Sequence, residues 1–218
     1  MAPEALDDVL RRAASFRYPV GQAVFEQGQL AEHFVVLLHG RLRVTQVTPE
    51  GQQVVVRVVN PGDLFGIAKA LRRSDYPGTA TAVVESIVLA WPMGIWSDLL
   101  EQHPALAVNA MQTMGSRLLE AQQRIREMST EEVERRVAHT VLRLANQAGR
   151  KDTGGVRIDF PISKQDIAEL TGTTLHTVSR ILSAWESAGL VEGGRQKLLI
   201  RDPHQLLLIG DGLRPGLL

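Results

Sequence analysis

Glycine punctuation constrains this chain more than any other feature. Gly21, Gly28, Gly40, Gly51, Gly62 and Gly66 cut its first third into short runs, "AVFEQG", "FVVLLHGRLRV" and "QQVVVRVVNPGD", with "TATAVVESIVLAW" following. Valine-rich runs bounded by turn residues every ten or so positions predict a small all-β barrel or sandwich over residues 18–96. "TPEGQQ" and "NPGD" place Pro and Gly where turns use them. A short amphipathic helix is expected ahead of it, around Leu6 to Ala14. Then the punctuation stops. From His103 to Met128 only Gly115 interrupts, and Ala107, Met111, Met114, Leu118, Ala121, Ile125 and Met128 recur at alternating spacings of 4 and 3. That is a heptad seam, flanked by Arg117, Glu120, Arg124 and Glu127. A strict seam is narrower than a core-facing stripe, so it predicts a helix that pairs with its own copy. The alternative is one buried face of a helix lying on the β domain.

At 218 residues, 44% hydrophobic and 22% charged, the chain suits one large or two small globular domains. No apolar run approaches the roughly 18 to 20 residues that span a bilayer. "MAPEALDDVLRRAASF" lacks the apolar centre of a signal peptide, so a cytoplasmic protein with no membrane partner is expected. The absence of cysteine excludes disulfides, thiolate zinc sites and cysteine-ligated iron–sulfur clusters. Lys plus Arg (24) balance Asp plus Glu (24), so any nucleic-acid contact rests on local placement of cations.

That placement is found near the C-terminus. "STEE" at 129–132 resembles a capping box with Ser129 as cap, and a helix with Val133, Val137, Val141 and Leu144 on one face is expected after it. "NQAGRKDTGG" is read as a polar loop and "VRIDF" as a strand. In "ISKQDIAELTGTTLHTVSRILSAWESAGLV", Ser163 and Asp166 suit the start of one short helix, and Thr173 or Thr174 the start of another. Gly172 stands in the turn between them, which is a helix-turn-helix pattern. Ile167, Ala168, Val178 and Ile181 suit the contact between the helices. Leu175, His176, Ser179 and Arg180 are left outside on the second helix, as major-groove reading requires. Arg can fork onto guanine O6 and N7, and Leu can rest on a thymine methyl. Lys164, Thr173, Thr174 and Thr177 lie near helix starts, where amides and charge hold phosphates. "LVEGGRQKLLI" is expected to form a hairpin with its tip at Gly193–Gly194, carrying Arg195 and Lys197 as a basic wing on the backbone.

Taken together, "FVVLLHGRLRV", "NPGDLFG", the seam helix and the winged helix-turn-helix resemble the Crp–Fnr family of bacterial transcription regulators over nearly the whole chain. The resemblance implies an α+β fold: an N-terminal β-roll (jelly-roll, cyclic-nucleotide-binding-like) over residues 1–100, a dimerisation helix over 101–128, and a winged helix-turn-helix DNA-binding domain over 129–218. It also implies a homodimer that is not an enzyme, binds double-stranded DNA at an inverted repeat and contacts RNA polymerase. Fnr-like members read DNA with Glu-x-x-Ser-Arg, and here the motif is His176-x-x-Ser179-Arg180. A TTG core is therefore expected, with the flanking bases open.

The resemblance also frames the signal. Cyclic-nucleotide binders carry a Glu after the "FG" of their phosphate cassette and an Arg-Ser pair beyond it. Here Ile67 replaces the Glu, and Gly78 and Thr79 occupy the phosphate-binding positions, which argues against a cyclic nucleotide. Arg72 and Arg73 could neutralise a phosphate from another side. "RRSDYPGTATAVVESIVLAWP" and the His-x-x-Ser-Arg helix resemble the NnrR and Dnr branch, activators of denitrification that answer nitric oxide, with haem as the implied cofactor. Candidate axial ligands are His33, His39, His103 and Tyr76. A regulator with another effector, or none, is the alternative. A cupin-like metal enzyme is a more remote one, since His33 and His39 lack further ligands nearby.

Overall fold

The computed structural model describes residues 3–213, and the chain divides into two compact units after Ala121. The first unit opens with α1 (Pro3–Arg11), which ends before the expected Ala14 because Ala14 already belongs to a strand. Eight strands follow: β1 (Ala14–Tyr18), β2 (Ala23–Phe25), β3 (His33–His39), β4 (Leu42–Val47), β5 (Gln53–Val59), β6 (Leu64–Phe65), β7 (Thr79–Ala82) and β8 (Ser86–Pro92). They form two antiparallel four-stranded sheets, ordered β1-β8-β3-β6 and β2-β7-β4-β5. "FVVLLHGRLRV" is thus not one hairpin: the chain crosses at Gly40 from the first sheet to the second.

The sheets close on each other because β3 alternates. Val35 and Leu37 enter the space between them with Phe25, Leu42, Val59, Tyr76 and Val88. Phe34 points the other way, stacking on Trp91 with ring centroids 5.5 Å apart and meeting the edge of Trp96 at 4.8 Å. This second cluster holds Val9 of α1, Leu99 of α2 (Trp96–Gln102) and Ala110 of α3 (Pro104–Thr130). The Trp91 indole donates to the carbonyl of Val9 at 2.8 Å, which fastens α1 to the roll.

Helix α3 carries the chain into the second unit and runs to Thr130 without a break. The Ser129 and Thr130 hydroxyls donate to the carbonyls four residues earlier, Ile125 and Arg126. Ser129 therefore does not cap a new helix. The break falls at Glu131–Glu132, and α4 (Val133–Ala148) starts from Glu132 without a side-chain cap. The expected polar loop after it is a second correction. Gly149–Asp152 is strand β9, paired with β10 (Gly155–Ile158) through a tight turn. After α5 (Lys164–Thr171) and α6 (Leu175–Ser187) come β11 (Val191–Gly194), β12 (Lys197–Ile200) and α7 (Pro203–Gly210). The four short strands make one sheet, ordered β11-β12-β10-β9. Among the described residues no helix is long and apolar enough to cross a membrane.

Candidate nucleic-acid interface

Local chemistry sets each end of the two short helices. Ser163 Oγ accepts from the Asp166 amide at 3.0 Å, and the Asp166 carboxylate accepts from the Ser163 amide at 2.9 Å, a complete capping box. Helix α5 then stops at Gly172, whose φ of 62° lies in the left-handed region. Thr174, rather than Thr173, caps α6 and accepts from the Thr177 amide at 3.2 Å. Behind them Ile167, Ala168, Val178, Ile181, Leu182 and Trp185 are buried. A Cβ at Gly172 would lie 2.6 Å from the Met128 methyl. Gly172→Ala is expected to destabilise this unit by about 1–2 kcal/mol, since an L residue strains there. Urea denaturation would measure it, and an unchanged midpoint would show that Ala tolerates this geometry.

With that core inside, Leu175, His176 and Arg180 stand exposed on α6. Arg180 has no ion-pair partner among the described residues, so its fork is available. Ser179 is half-buried, and the Lys164 ammonium donates to its Oγ at 3.4 Å. The expected base-reading and phosphate-holding groups therefore meet. Thr173 and Thr177 are half-buried and Thr174 is exposed at the N-terminus of α6, where free amides gather. On the wing, the tip is Arg195–Gln196 and not Gly193–Gly194, because both glycines pair within β11. Gln196 takes the left-handed φ of 60° that the two-residue turn needs. Its carbonyl accepts from the Ile162 amide at 3.2 Å, tying the wing to the approach of α5.

Two supports were not legible in the sequence. Arg136 of α4 donates to the Thr171 carbonyl at 3.1 Å and to the Glu131 carbonyl at 2.9 Å, joining the interhelix turn to the end of α3. Glu127, expected as an exposed flank of the seam, is 3% exposed. It accepts from Arg143 at 3.2 Å and from Gln123 at 3.0 Å. Burial pushes the Glu127 carboxyl up, but these donors outweigh it and hold it below the ordinary range. Periodicity alone cannot show this, because it marks a charged residue as outward-facing.

The seam is also redrawn. Met114 and Ala107 are half-buried, and Met114 packs into the aromatic cluster of the roll. Ala121 is exposed, and the Met128 methyl lies beside Gly172. The large apolar residues left open on α3 are Val108, Met111, Leu118, Leu119 and Ile125, between 47% and 67% exposed, with Met128 at 49%. Arg117 turns inward and donates to the Leu64 carbonyl, where burial and the neighbouring Arg57 bring its pKa down to about 10.

The signal-binding candidates do not converge. Tyr76 is 3% exposed, stacks on Phe25 at 3.8 Å, and donates to the His33 carbonyl at 2.7 Å while accepting from its amide. The His103 ring meets Asp8 at 3.1 Å, and His39 is exposed at the end of β3. The cavity that His33 and Tyr76 line holds about 200 Å³, below the ~300–1,000 Å³ usual for a ligand site. These residues do not fit a haem. At the positions read as the nucleotide cassette, Ile67 is buried in the aromatic cluster, and a Cβ at Gly78 would lie 2.8 Å from the Thr45 carbonyl. Arg73 pairs with Asp75 at 2.8 Å, and Arg72 takes a left-handed turn. Among the described residues no group of three His, Cys, Asp or Glu could hold a metal.

Comparison with known proteins bears on the same two units. Residues 15–103 match the cyclic nucleotide-binding domain family, and residues 135–209 match the Crp-like helix-turn-helix domain family. The cyclic AMP receptor protein of Thermus thermophilus is 30% identical over 213 residues, covering 98% of this chain and 95% of its own. The chain belongs to the Crp–Fnr family of transcription regulators. Another family member, the transcriptional activator FnrA of Stutzerimonas stutzeri, is 24% identical over 96% of this chain and 84% of its own. The family fold is seen again in FixK2 of Bradyrhizobium japonicum, with a TM-score of 0.77 at 21% identity over 94% of this chain and 99% of its own. Within the family a Crp-like helix-turn-helix is a DNA-binding module, so this chain is a DNA-binding regulator. The NnrR and Dnr branch is not distinguished: the relatives include cyclic AMP receptor, nitrogen-regulator and Fnr types.

Proposed function

We propose that the protein acts as a homodimer at an inverted repeat with a TTG core. Ser179 and Arg180 read the core, Leu175 and His176 read the bases beside it, and Lys164, Thr173, Thr174, Thr177, Arg195 and Lys197 hold the backbone. The observation that carries this is the guanidinium of Arg180, exposed and without an ion-pair partner among the described residues, on the same helix as the Lys164–Ser179 contact. A cation left open on an otherwise packed helix is what a guanine edge requires. Two copies are paired by the open stripe of α3, since Val108, Met111, Leu118 and Ile125 keep heptad spacing and water is a poor partner for them. Leu118→Glu is expected to leave a monomer in sedimentation, and a variant that stays dimeric would sink this pairing.

Recognition helices of such a dimer enter successive major grooves about 34 Å apart. A signal acts only as far as it binds the competent spacing more tightly than the other. Nitric oxide and control of denitrification rest on the likeness of residues 72–92 and the His-x-x-Ser-Arg helix alone. Because the haem candidates do not fit, the reading carried forward is a regulator with another effector, or none. Membership of the family supports contact with RNA polymerase.

The test is to titrate the protein, with and without haem, against the inverted repeat and a scrambled duplex. Tight, selective binding without haem uptake is expected. A stoichiometric Soret band, with selective binding only in its nitrosyl form, would restore the nitric-oxide reading. No selectivity under either condition would overturn the base-reading roles.

A further inference from the structure

The joint between the end of α3 and the turn joining α5 to α6 holds a methionine that is half open to water. The chain has no cysteine, so its sulfur chemistry falls to methionine. Met93 and Met114 are half-buried against the clusters of the roll. Met111 and Met128 stand 64% and 49% exposed. Met111 lies on the open stripe of α3, whereas Met128 packs on the helix-turn-helix itself. A Cβ at Gly172 would meet the Met128 methyl at 2.6 Å and its Sδ at 3.7 Å. Gly172 is therefore the surface on which this thioether rests. That surface has no amide to spare. Gly172 and Thr173 both donate to the Ala168 carbonyl. The Thr171 hydroxyl donates to the Ile167 carbonyl at 2.7 Å, and the Thr171 carbonyl accepts from Arg136 at 3.1 Å. A thioether suits such a place because it needs no hydrogen bond. A sulfoxide does not: its oxygen is a strong acceptor, drawn to water rather than to donors already spent.

We propose that Met128 is an oxidation site and that its sulfoxide lowers affinity for DNA. In the step, the Sδ lone pair attacks one oxygen of hydrogen peroxide and the O–O bond breaks. The departing hydroxide takes the proton from the transferred oxygen and leaves as water. Sulfur is oxidised by two electrons and the peroxide is reduced. The new S–O group turns to solvent and lifts the side chain off Gly172. The turn then loses its cover at the place where Arg136 ties it to the Glu131 carbonyl at the end of α3. Coupling between sites typically spans roughly 5- to 150-fold, and a loss within that span is expected. This inference rests on the DNA-binding reading above, and it names an oxidant as the signal that α6 answers.

The test treats full-length wild type and a Met128→Leu variant with hydrogen peroxide. Leu keeps apolar cover of similar volume and takes up no oxygen. Peptide mass spectrometry would locate the sulfoxide, and titration with the inverted repeat would follow affinity. Wild type is expected to weaken roughly 5- to 150-fold as Met128 sulfoxide accumulates, and to recover after treatment with methionine sulfoxide reductases. Met128→Leu should hold its affinity under the same treatment. Equal losses by wild type and Met128→Leu would overturn the proposal and point to Met111 and the pairing stripe. So would complete Met128 sulfoxide with unchanged affinity, or slower oxidation there than at half-buried Met93 and Met114. Hydrogen exchange at the Gly172 and Thr173 amides reads the turn without DNA. Faster exchange is expected in oxidised wild type and not in oxidised Met128→Leu, and unchanged exchange in both would sink the opening of the turn. If untreated protein does not bind the repeat selectively, the DNA-reading assignment fails, and amide exchange still decides whether oxidation opens the turn.

Discussion

Replacing Arg180 with Ala is expected to weaken binding to the inverted repeat by ~1–3 kcal/mol per half-site, roughly 5- to 150-fold, while binding to random duplex hardly changes. The asymmetry follows from geometry. The side chain is exposed on α6 with no ion-pair partner among the described residues, and Val178 and Ile181 on the opposite face hold the helix without it. Removing it therefore leaves the fold alone and removes a fork that donates two hydrogen bonds to one base. Arg180→Lys should rescue little, because an ammonium keeps the charge but not the fork. Titrations at fixed salt against the repeat, a guanine-substituted repeat and a scrambled duplex would check this. Equal losses on all three would make Arg180 a phosphate contact.

Arg143→Met is expected to destabilise the C-terminal unit by about 3 kcal/mol. The substitution takes the guanidinium away from the buried Glu127 carboxylate, to which Gln123 still donates. The figure sits at the low end for broken buried pairs because the Arg143 side chain is itself 31% exposed, so water already shares the interaction. A second change, Glu127→Met, should restore most of the loss, since two apolar side chains need no partners. The pair also sets a pH dependence. Glu127 titrates below the ordinary carboxylate range in the folded chain, so its contribution is full above that range and is lost as pH falls through the folded value. Urea midpoints of this unit for wild type and both variants, at neutral pH and in acid, would show it. A single variant as stable as wild type at neutral pH would mean the carboxylate finds water there.

The architecture was legible where local chemistry and burial agree. Glycine spacing delimited the strands of the roll, and Ser163, Asp166 and Gly172 marked the first helix of the pair within a residue. Membership of the family then confirms the regulator that those motifs suggested. Failures came where a local signal had two outlets. Ser129 and Thr130 carry hydroxyls that suit a cap, yet both donate back within α3 and the helix runs on. Gly193 and Gly194 suit a turn, yet they pair as a strand and leave the tip to Arg195 and Gln196. "GRKD" reads as a loop because nothing in it alternates in hydrophobicity, and only β10 beside it makes it a strand.

By itself the sequence determined the order of the parts, the turn chemistry of the helix pair, and the outward placement of Leu175, His176 and Arg180. These depend on residues within a helical turn or a hairpin of one another. Tertiary structure decided what depends on partners far along the chain: that Glu127 is buried, that Met114 belongs to the roll, that Tyr76 is spent on the His33 backbone, and that Arg150 and Arg157 face each other beside the wing. A linear pattern records how polar a residue is, whereas burial of a charge requires a donor that only folding brings within 3 Å or so.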